Sequence, residues 1–213
     1  MTSPKERILD AAGRVFGRKG YKAATVREIC NMAQVNLAAV NYYFDGKQDL
    51  YRSVVRNLFA QAFDQFPLSE GPGSQARPEQ QLRAFVSAIL LRMLSPGDSP
   101  GEIEKGRLLA RELGDPSPVL DDIFKEYIRP QVEILQTIIQ RLVSRPLTDL
   151  ELARYVFSII GQCAYYALAK PIVLKVVALE FRDPAAIEAL AGHISRFSIA
   201  GIRSAQPQAP EVP

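Results

Sequence analysis

The side chains in this sequence that are best suited to chemistry are hydrogen-bond donors gathered in residues 25–47. Arg27 and Asn41 carry forked donor groups, Tyr42 carries a phenol, and Lys47 carries an ammonium group. A guanidinium fork matches the edge of guanine, an amide fork matches the edge of adenine, and an ammonium group matches a phosphate. This stretch therefore offers recognition of a nucleic acid surface by hydrogen bonding.

Enzyme and metal-site motifs are missing from the sequence. It has no G-x-S-x-G motif, no H-E-x-x-H motif and no pair of cysteines at metal-ligand spacing. The single histidine, His193, stands beside Gly192 in no recognisable motif, which favours a surface or interface position over a catalytic base. The glycine-containing segment 101–107 lacks the Lys-Ser/Thr ending of a phosphate-binding loop. We therefore expect no enzyme, no bound metal and no cofactor.

Positive charge is concentrated near the amino terminus. Residues 1–56 contain ten Lys and Arg against five Asp and Glu, although the whole chain has a net charge of only +3. A basic segment on a slightly acidic remainder suits a polyanionic partner, but solvated helix faces also produce such asymmetry. Hydrophobic residues make up 47% of the chain and charged residues 23%, which allows a soluble globular core.

Nothing in the sequence indicates secretion or membrane insertion. The first seven residues lead directly into an amphipathic pattern, and the apolar run 172–179 is short and contains Lys175. Cys30 and Cys163 lie in apolar helical contexts without a close partner. We expect both to be reduced core thiols in a cytoplasmic protein, with redox sensing as the alternative.

Three short helices are predicted to position the donor-rich stretch. Apolar residues at helical spacing predict a first helix over 5–19, which Gly20 ends. Thr25 and Glu28 form the pattern of a capping box at the start of the second helix. Residues 34–36 form the turn, and its last residue, asparagine, caps the third helix.

The third helix, residues 37–44, is predicted to have one buried and one outward face. Val40 and Phe44 are spaced by four residues and are expected to face the core. A merely solvated helix would carry Lys and Glu on its other face, whereas this one carries small residues, an amide and a phenol. These outward residues are Leu37, Ala38, Asn41 and Tyr42. They suit a surface that enters a groove of DNA and touches base edges.

The rest of the chain continues as amphipathic helices. The patterns predict helices over 47–66, 79–94, 101–113, 118–143 and 148–169, and a last helix beginning at 183–184. Pro130 is expected to kink or split the 118–143 helix. We expect residues 67–78 to be a loop and residues 170–182 to be an irregular or short helical connector.

The amino-terminal pattern resembles the DNA-binding domain of TetR-family transcriptional regulators. The match covers about 55 residues, and the segments that carry it are ILDAAGRVFGRKGY and TVREICNMAQVNLAAVNYYFDGKQDLY. Within them the motif consists of Phe16, Gly20, Thr25-x-Arg27-x-Ile29 and Tyr43-Phe44-x-x-Lys47-x-x-Leu50. The body is similar to the CecR-type branch of that family. The residues behind this likeness are the run VNLAAVNYYFDGKQDLY, the segment LLARELGDPSPVLDDIFKEYIRPQVEILQTII and the alanine-rich helix after Ile160-Gly161.

Three positions depart from the pattern of the family. Gln34 stands where Gly is usual in the turn, Leu37 where a polar residue is frequent, and Asn41 where Tyr often contacts a phosphate. The first departure, Gln34, raises the conformational free energy of the backbone in the turn by a modest amount. The other two alter which bases are read and so leave the operator sequence open.

The resemblance implies an all-α fold with three regions. Residues 1–48 would form a helix-turn-helix DNA-binding domain, residues 49–205 a helical bundle for ligand binding and dimerisation, and residues 206–213 a disordered tail. The implied function is a ligand-responsive repressor that binds a palindromic DNA operator as a homodimer and is released by a small molecule. The sign of regulation, repression or activation, is not written in the sequence.

The resemblance also assigns candidate contacts with DNA. The third helix would lie in the major groove, with alanine methyl groups able to meet the thymine methyl. Candidates for base contacts are Arg27, Leu37, Ala38, Ala39, Asn41 and Tyr42, and candidates for phosphate contacts are Thr25, Tyr43 and Lys47. The alternatives are that Arg27 and Lys47 are only solvated and that Tyr42 packs in the core.

Two further sets of residues are expected in the body. The candidate ligand site has apolar and aromatic walls with a few polar anchors: Phe59, Phe63, Met93, Arg111, Phe124, Tyr127, Gln162, Tyr165 and Tyr166. The candidate dimer surface comprises Phe157, Ile160, Gly161, Ala164, Ala167, Leu168, Ile187, Leu190, Ala191, Ile194, Phe197 and Ile202. Both sets have a plainer explanation, since aromatic and apolar lines at helical spacing also pack within one protomer. A helical adaptor that binds protein is the other function left open.

Overall fold

The computed structural model describes residues 3–68, 73, 75–94, 99–114, 116–177, 181 and 183–204, and their regular elements are all helices. The α-helices are α1 (Pro4–Ala23), α2 (Val26–Ala33), α3 (Leu37–Tyr43), α4 (Gly46–Gln65), α5 (Pro78–Leu94), α6 (Pro100–Gly114), α7 (Leu120–Ile123), α8 (Arg129–Gln140), α9 (Asp149–Leu168), α10 (Lys170–Val176) and α11 (Pro184–Ser204). The all-α prediction is confirmed. The predicted tail, residues 206–213, lies outside the described part of the chain, as do parts of the 67–78 loop.

The first of two compact units contains α1–α4, α6 and α7. Its core is built on the fully buried side chains of Phe16, Ile29, Val40, Tyr51 and Leu108. Phe16 meets Tyr51 edge to face, with ring centroids 4.8 Å apart. The amphipathic spacing that predicted the first four helices therefore reflects one shared core.

Local signals explain where the first helices begin and end. Ser3 and Thr25 each form a complete capping box, with Glu6 and Glu28 respectively. Gly20 interrupts helical geometry in α1 at φ 77° and ψ 170°, and one further turn continues to Ala23. Gly20 therefore breaks the helix as predicted, although the element extends beyond it.

The turn between α2 and α3 places Gln34 in the left-handed conformation, at φ 53° and ψ 51°. A residue with a Cβ atom is disfavoured there, which is the physical basis of the backbone cost predicted at this position. Asn36 then caps α3, its side-chain oxygen accepting a 2.9 Å hydrogen bond from the backbone N–H of Ala39.

Helices α1 and α6 approach each other closely at a glycine. A Cβ atom at Gly17 would overlap the backbone carbonyl group of Glu104. The carboxylate of Glu104 also forms ion pairs with Arg14 and Arg18 of α1, at 3.1 and 3.3 Å. A short backbone distance and two ion pairs thus hold α6 against α1.

The predicted long helix over 118–143 is divided at Pro130. A π-helical turn, Phe124–Ile128, precedes α8, whose second residue is that proline. Proline has no backbone N–H and its ring crowds the preceding turn, so the regular hydrogen-bond ladder cannot continue through it. The predicted single helix is therefore interrupted: α7, the π-helical turn and α8 follow one another, and α8 begins at Arg129, next to Pro130.

The second compact unit contains α5 and α8–α11. Its core includes Phe85, Leu135, Ile159 and Ile194, each at most 1% exposed. The described part of the 170–182 connector is the short helix α10, as expected for a helical connector. The last helix begins at Pro184, and Asp183 accepts a 2.9 Å hydrogen bond from the N–H of Ala185, which confirms the predicted cap.

Both cysteines are buried and unpaired, and burial raises the pKa of the Cys163 thiol to about 12. No single helix in the described ranges is both long and apolar enough to cross a membrane; the pair α9–α10, bent by 81°, meets that test only jointly, by length and composition.

Candidate functional site

The outward face of α3 is exposed in the way that its sequence predicted. Val40 and Phe44 are 0% and 3% exposed, whereas Leu37 and Tyr42 are 56% and 81% exposed. Asn41 is exposed beside them. A short helix that leaves a leucine and a tyrosine in solvent, while its other face fills a core, presents a surface suited to a partner.

Two residues of the α3 set are less available than the others. Ala39 and Tyr43 are half-buried and pack against the core of the first unit. The ring of Tyr43 also meets that of Tyr42 edge to face, at 4.9 Å. The methyl group of Ala39 and the phenol of Tyr43 are therefore only partly accessible, at the edge of the exposed α3 face.

The donors of Thr25 are engaged within its own capping box. Its hydroxyl group donates to Glu28 at 3.1 Å, and its backbone N–H donates to the same carboxylate oxygen at 3.3 Å. Lys19 pairs with Glu28 and is the main cause that lowers the pKa of that carboxyl group. A phosphate at Thr25 would therefore have to replace a charged carboxylate, which weakens this residue as a phosphate contact.

Ion pairs reduce the positive charge that the amino-terminal segment can offer to a partner. Arg52 and Arg56 of α4 pair with Asp122 and Glu126, at 2.9 and 2.8 Å. In contrast, Lys22, Arg27 and Lys47 form no ion pair with any acid in the described part of the chain. These three cations flank α3 in sequence, and the start of α1 adds two more, Lys5 and Arg7, that pair with no acid in the described residues.

Lys47 lies in the first turn of α4 and is half-buried. Its ammonium group lies 4.8 Å from the centroid of the Tyr21 ring and donates a 3.3 Å hydrogen bond to the carbonyl group of Lys22. The sequence singled out Lys47 but not Tyr21. The arrangement joins residues 26 positions apart, which no helical spacing could have indicated.

The predicted dimer residues divide into exposed and buried sets. On α9 and α11 the structure exposes four of them, Phe157, Gly161, Leu168 and Phe197. Together with the exposed Tyr165 of the predicted ligand set, we call these residues the α9–α11 face. Phe157, Leu168 and Phe197 are 71%, 62% and 66% exposed. Ile160, Ala164 and Ala167 are half-buried beside this face.

Five of the predicted dimer residues are instead part of the protomer's own core. Each is at most 8% exposed in the second unit: Ile187, Leu190, Ala191, Ile194 and Ile202. The apolar line on α11 that suggested a seam with a partner is the line that faces α5 and α9 of the same chain. The prediction is corrected at these positions, because a side chain without exposed area has nothing further to bury.

The predicted ligand residues are divided between the two units. The rings of Phe59, Phe63 and Tyr127 cluster in the first unit, with centroids 5.4–6.4 Å apart. Phe124 is 46% exposed. The guanidinium group of Arg111 lies against Gly20, where it would clash with any Cβ atom. Each of these residues packs within its own unit.

In the second unit, three predicted ligand residues border an open cavity of about 580 Å³. Gln162, Tyr165 and Tyr166 line it together with Gly161 and Ile194, which were predicted for the dimer surface, and with residues predicted for neither site: Ile172, Val173, Val176, Val177 and His193. Met93, also predicted, packs against the core of this unit and is not among the lining residues. The apolar character of residues 172–177 was the available signal, but it was interpreted as a connector.

The described residues contain no group of three or more His, Cys, Asp or Glu side chains that could hold a metal ion. The groups that the described residues present for binding are hydrogen-bond donors and apolar side chains on α3, cations near it in sequence, and the wall of an apolar cavity that includes tyrosine, glutamine and histidine.

Known families match both parts of the chain. Residues 8–54 match the model described as bacterial regulatory proteins of the tetR family. Residues 78–202 match the model described as the C-terminal domain of the HTH-type transcriptional dual regulator CecR.

Sequence comparison with individual proteins agrees with these family matches. The chain is 26% identical over 175 residues to the HTH-type transcriptional dual regulator CecR of Shigella flexneri, covering 80% of this chain and 78% of CecR. It is 28% identical over 138 residues to the probable HTH-type transcriptional regulator YttP of Bacillus subtilis, covering 65% of this chain and 64% of YttP. The second alignment thus spans slightly less than two thirds of that relative.

A solved structure has the same fold. The transcriptional regulator FadR from Bacillus subtilis, crystallised in complex with stearoyl-CoA, superposes with a TM-score of 0.62 at 17% identity, over 92% of this chain and 97% of FadR. The exposed α3 face, the cations beside it and the two matches that together span most of the sequence agree with one another. The chain belongs to the tetR family of bacterial transcriptional regulators, in the branch with a CecR-type C-terminal domain.

Proposed function

We propose that this chain is a repressor that binds a palindromic DNA operator as a homodimer and leaves it when a small molecule binds. The observation that carries the proposal is the surface of α3, where Leu37, Asn41 and Tyr42 are exposed while Val40 and Phe44 fill the core. We also propose that the chain acts in the cytoplasm and that it is not an enzyme, in line with the family of transcriptional regulators to which it belongs.

Contacts with DNA are proposed in two classes. Arg27, Asn41 and Tyr42 reach base edges in the major groove, together with the apolar surfaces of Leu37, Ala38 and Ala39. Lys47 and Tyr43 contact phosphates, which carry charge but no sequence information. Thr25 is a weaker member of the phosphate set, because its donors are shared with Glu28.

Homodimerisation is proposed through the α9–α11 face. Its three large exposed side chains, Phe157, Leu168 and Phe197, lie on the two long helices that end the chain. Burying them against a second copy removes apolar area from water, and the favourable free energy of that burial is about 25 cal/mol for each Å². A two-fold arrangement would bring two α3 helices to a fixed separation and so require a palindromic operator.

The effector is proposed to be an aromatic or amphipathic molecule bound in the second unit. Support comes from the cavity of about 580 Å³, whose size and mixture of apolar and polar walls are those of small-molecule sites. FadR, of the same fold, was crystallised with stearoyl-CoA. Release from DNA then requires that the effector binds the DNA-free arrangement more tightly, and the lost DNA affinity equals that coupling free energy.

We also propose that the functional boundary lies near residue 48, with residues 1–48 reading DNA and residues 49–205 serving ligand binding and dimerisation. The two family matches, over 8–54 and 78–202, support this division. The tail, residues 206–213, is proposed to be disordered and to take no part.

One experiment tests the proposal directly. Duplex fragments of the host genome are selected by the purified chain, and their affinity is measured over a series of salt concentrations. We expect a recurrent palindrome, and an affinity that falls steeply with salt because phosphate contacts release counterions. Selection of no sequence, with salt-independent retention of a protein partner, would favour a helical adaptor.

A further inference from the structure

The ammonium group of Lys47 is held in place before any DNA is present. It lies 4.8 Å from the centroid of the Tyr21 ring and donates a 3.3 Å hydrogen bond to the backbone carbonyl of Lys22. The Tyr21 ring presents its negative face to the ammonium group. The Lys22 carbonyl presents a lone pair near the end of α1. Both contacts hold the ammonium group in this one orientation.

This orientation is not what the surrounding helix alone would select. Lys47 lies in the first turn of α4, where unpaired backbone N–H groups give the helix end a partial positive charge. A cation there is repelled by its own helix, whereas an anion is attracted. The carboxylate of Asp49 lies in the same turn, accepts a 3.2 Å hydrogen bond from the N–H of Asp45 and offsets part of this charge. The contacts with Tyr21 and Lys22 stabilise the ammonium group of Lys47 in addition, and an anion at the helix end would do the same.

The ring that holds Lys47 is itself fixed. Tyr21 meets Tyr51 edge to face, with centroids 4.9 Å apart and planes at 63°. Tyr51 is 2% exposed, packs on Phe16, and donates a 2.6 Å hydrogen bond to Glu112. A half-buried ring that rests on a buried aromatic pair has little freedom to turn, so it can serve as a rigid platform.

We propose that Tyr21 is a positioning residue for DNA binding, whose ring preorganises the Lys47 ammonium to meet a backbone phosphate at the start of α4. The inference rests on the proposed function, because it requires Lys47 to be a phosphate contact. A free lysine side chain has several rotatable bonds that must be ordered on binding. Holding the ammonium in advance removes part of that cost and leaves one of its three protons for the DNA.

A double-mutant cycle tests the proposal through binding to a random duplex over a salt series. Tyr21→Leu removes the ring face, Lys47→Ala removes the ammonium, and the third protein carries both changes. An exposed cation–π contact corresponds to about two- to fivefold in affinity per copy, so we expect Tyr21→Leu to weaken a dimer roughly tenfold. In the Lys47→Ala background the same change should have no further effect on affinity or on the salt slope.

Tyr21→Phe is the matched control. It keeps the ring face and loses only the phenol, so we expect affinity within about twofold of the wild type. If Tyr21→Phe loses as much affinity as Tyr21→Leu, the phenol itself contacts DNA and the positioning role is overturned. Equal costs of Tyr21→Leu with and without Lys47 overturn it as well, because the ring would then act on folding alone.

A second measurement does not depend on how well Tyr21→Leu folds. In the DNA-free wild type, the ring current of Tyr21 should shift the ε-methylene protons of Lys47 upfield in the proton NMR spectrum, and Tyr21→Phe should retain that shift. Random-coil shifts in the folded wild type overturn the inference while DNA binding stands. A wild-type chain that binds no duplex at any salt concentration overturns the proposed function itself, and this inference with it.

Discussion

The hydroxyl group of Tyr51 donates a 2.6 Å hydrogen bond to Glu112, a side chain that is completely buried. The second carboxyl oxygen of Glu112 accepts from the backbone N–H and the hydroxyl of Ser117, at 3.0 and 2.7 Å. Burial, and then the adjacent carboxyl group, hold the pKa of Tyr51 well above its ordinary value, so the phenol remains a donor at any physiological pH. This network joins α4, α6 and the turn that leads to α7.

Removing the carboxyl group should therefore be costly. Glu112→Ala leaves the phenol and the two Ser117 donors without a partner in a buried site, and we expect the free energy of unfolding to fall by about 3 kcal/mol. Glu112→Gln retains an acceptor and the shape of the side chain, and should cost about half as much. Urea unfolding of both variants measures the difference. An alanine variant within about 0.5 kcal/mol of the wild type would show that the network contributes little to stability.

Acid should weaken the start of α9 in a defined pH window. Hydrogen bonds from Arg145, and then from Thr148, lower the pKa of Glu151 from 4.5 to about 2. A carboxyl group whose pKa is depressed by folding stabilises the protein above its unfolded pKa, and this contribution is lost as the pH falls through the folded pKa. The gap in melting temperature between wild type and Glu151→Gln should be constant above pH 5 and close progressively between about pH 4.5 and 2.

The exposed neighbour Asp149 supplies the control for that titration. It lies in the same first turn of α9 and forms no ion pair with a described residue. Asp149→Asn removes one carboxylate from the same turn and so controls for the loss of a single negative charge there. Parallel profiles for wild type and Glu151→Gln from pH 6 to 2 would contradict the assignment.

Base contacts and phosphate contacts should separate experimentally. Asn41→Ala and Tyr42→Ala remove groups from the outward face of α3, so each should weaken binding to the selected operator by about 1–3 kcal/mol and leave random duplex affinity nearly unchanged. Lys47→Ala should weaken both and reduce the dependence of log affinity on log salt. Fluorescence anisotropy with the two duplexes measures all three variants. Equal losses on operator and random duplex would remove Asn41 or Tyr42 from base recognition.

A charge at the α9–α11 face should prevent self-association. Phe197 is 66% exposed in the protomer, so Phe197→Glu should leave its fold intact while placing a carboxylate in the proposed interface. We expect sedimentation at micromolar concentration to shift from dimer to monomer, with operator affinity reduced in parallel. Ile103→Glu, at another exposed apolar position (44% exposed), should remain dimeric. A wild-type chain that sediments as a monomer would defeat both the interface and palindromic recognition.

Packing between α1 and α6 should not tolerate a methyl group at its closest point. A Cβ atom at Gly17 would overlap the carbonyl group of Glu104, and backbone on both sides leaves no flexible side chain to move away. We expect Gly17→Ala to lower the free energy of unfolding by about 3 kcal/mol. Gly114→Ala, where an added Cβ atom meets nothing within 4 Å, should be neutral or slightly stabilising. If the two variants are equally stable, α1 and α6 can move apart enough to accommodate the methyl group without loss of stability.

The sequence by itself determined most of the helices and the motif that reads DNA. The helix caps and the helix break are local features, because each depends only on one residue and on backbone groups a few positions away. The caps are at Thr25, Asn36 and Asp183, and the break is at Gly20. The inward positions of Val40 and Phe44 follow from helical periodicity in the same way. Such signals survive in a single sequence because they need no knowledge of distant partners.

Tertiary structure decided what depends on partners far along the chain. The spacing of Ile187, Leu190 and Ile194 is the same whether α11 faces its own protomer or a second copy, and only packing in the second unit shows that they face inward. Two further contacts arise only because folding brings α1, α4 and α6 together. Lys47 meets Tyr21, and Tyr51 meets Glu112 although they are 61 positions apart. Periodicity states which face of a helix is apolar, but the identity of what covers that face is a property of the whole fold.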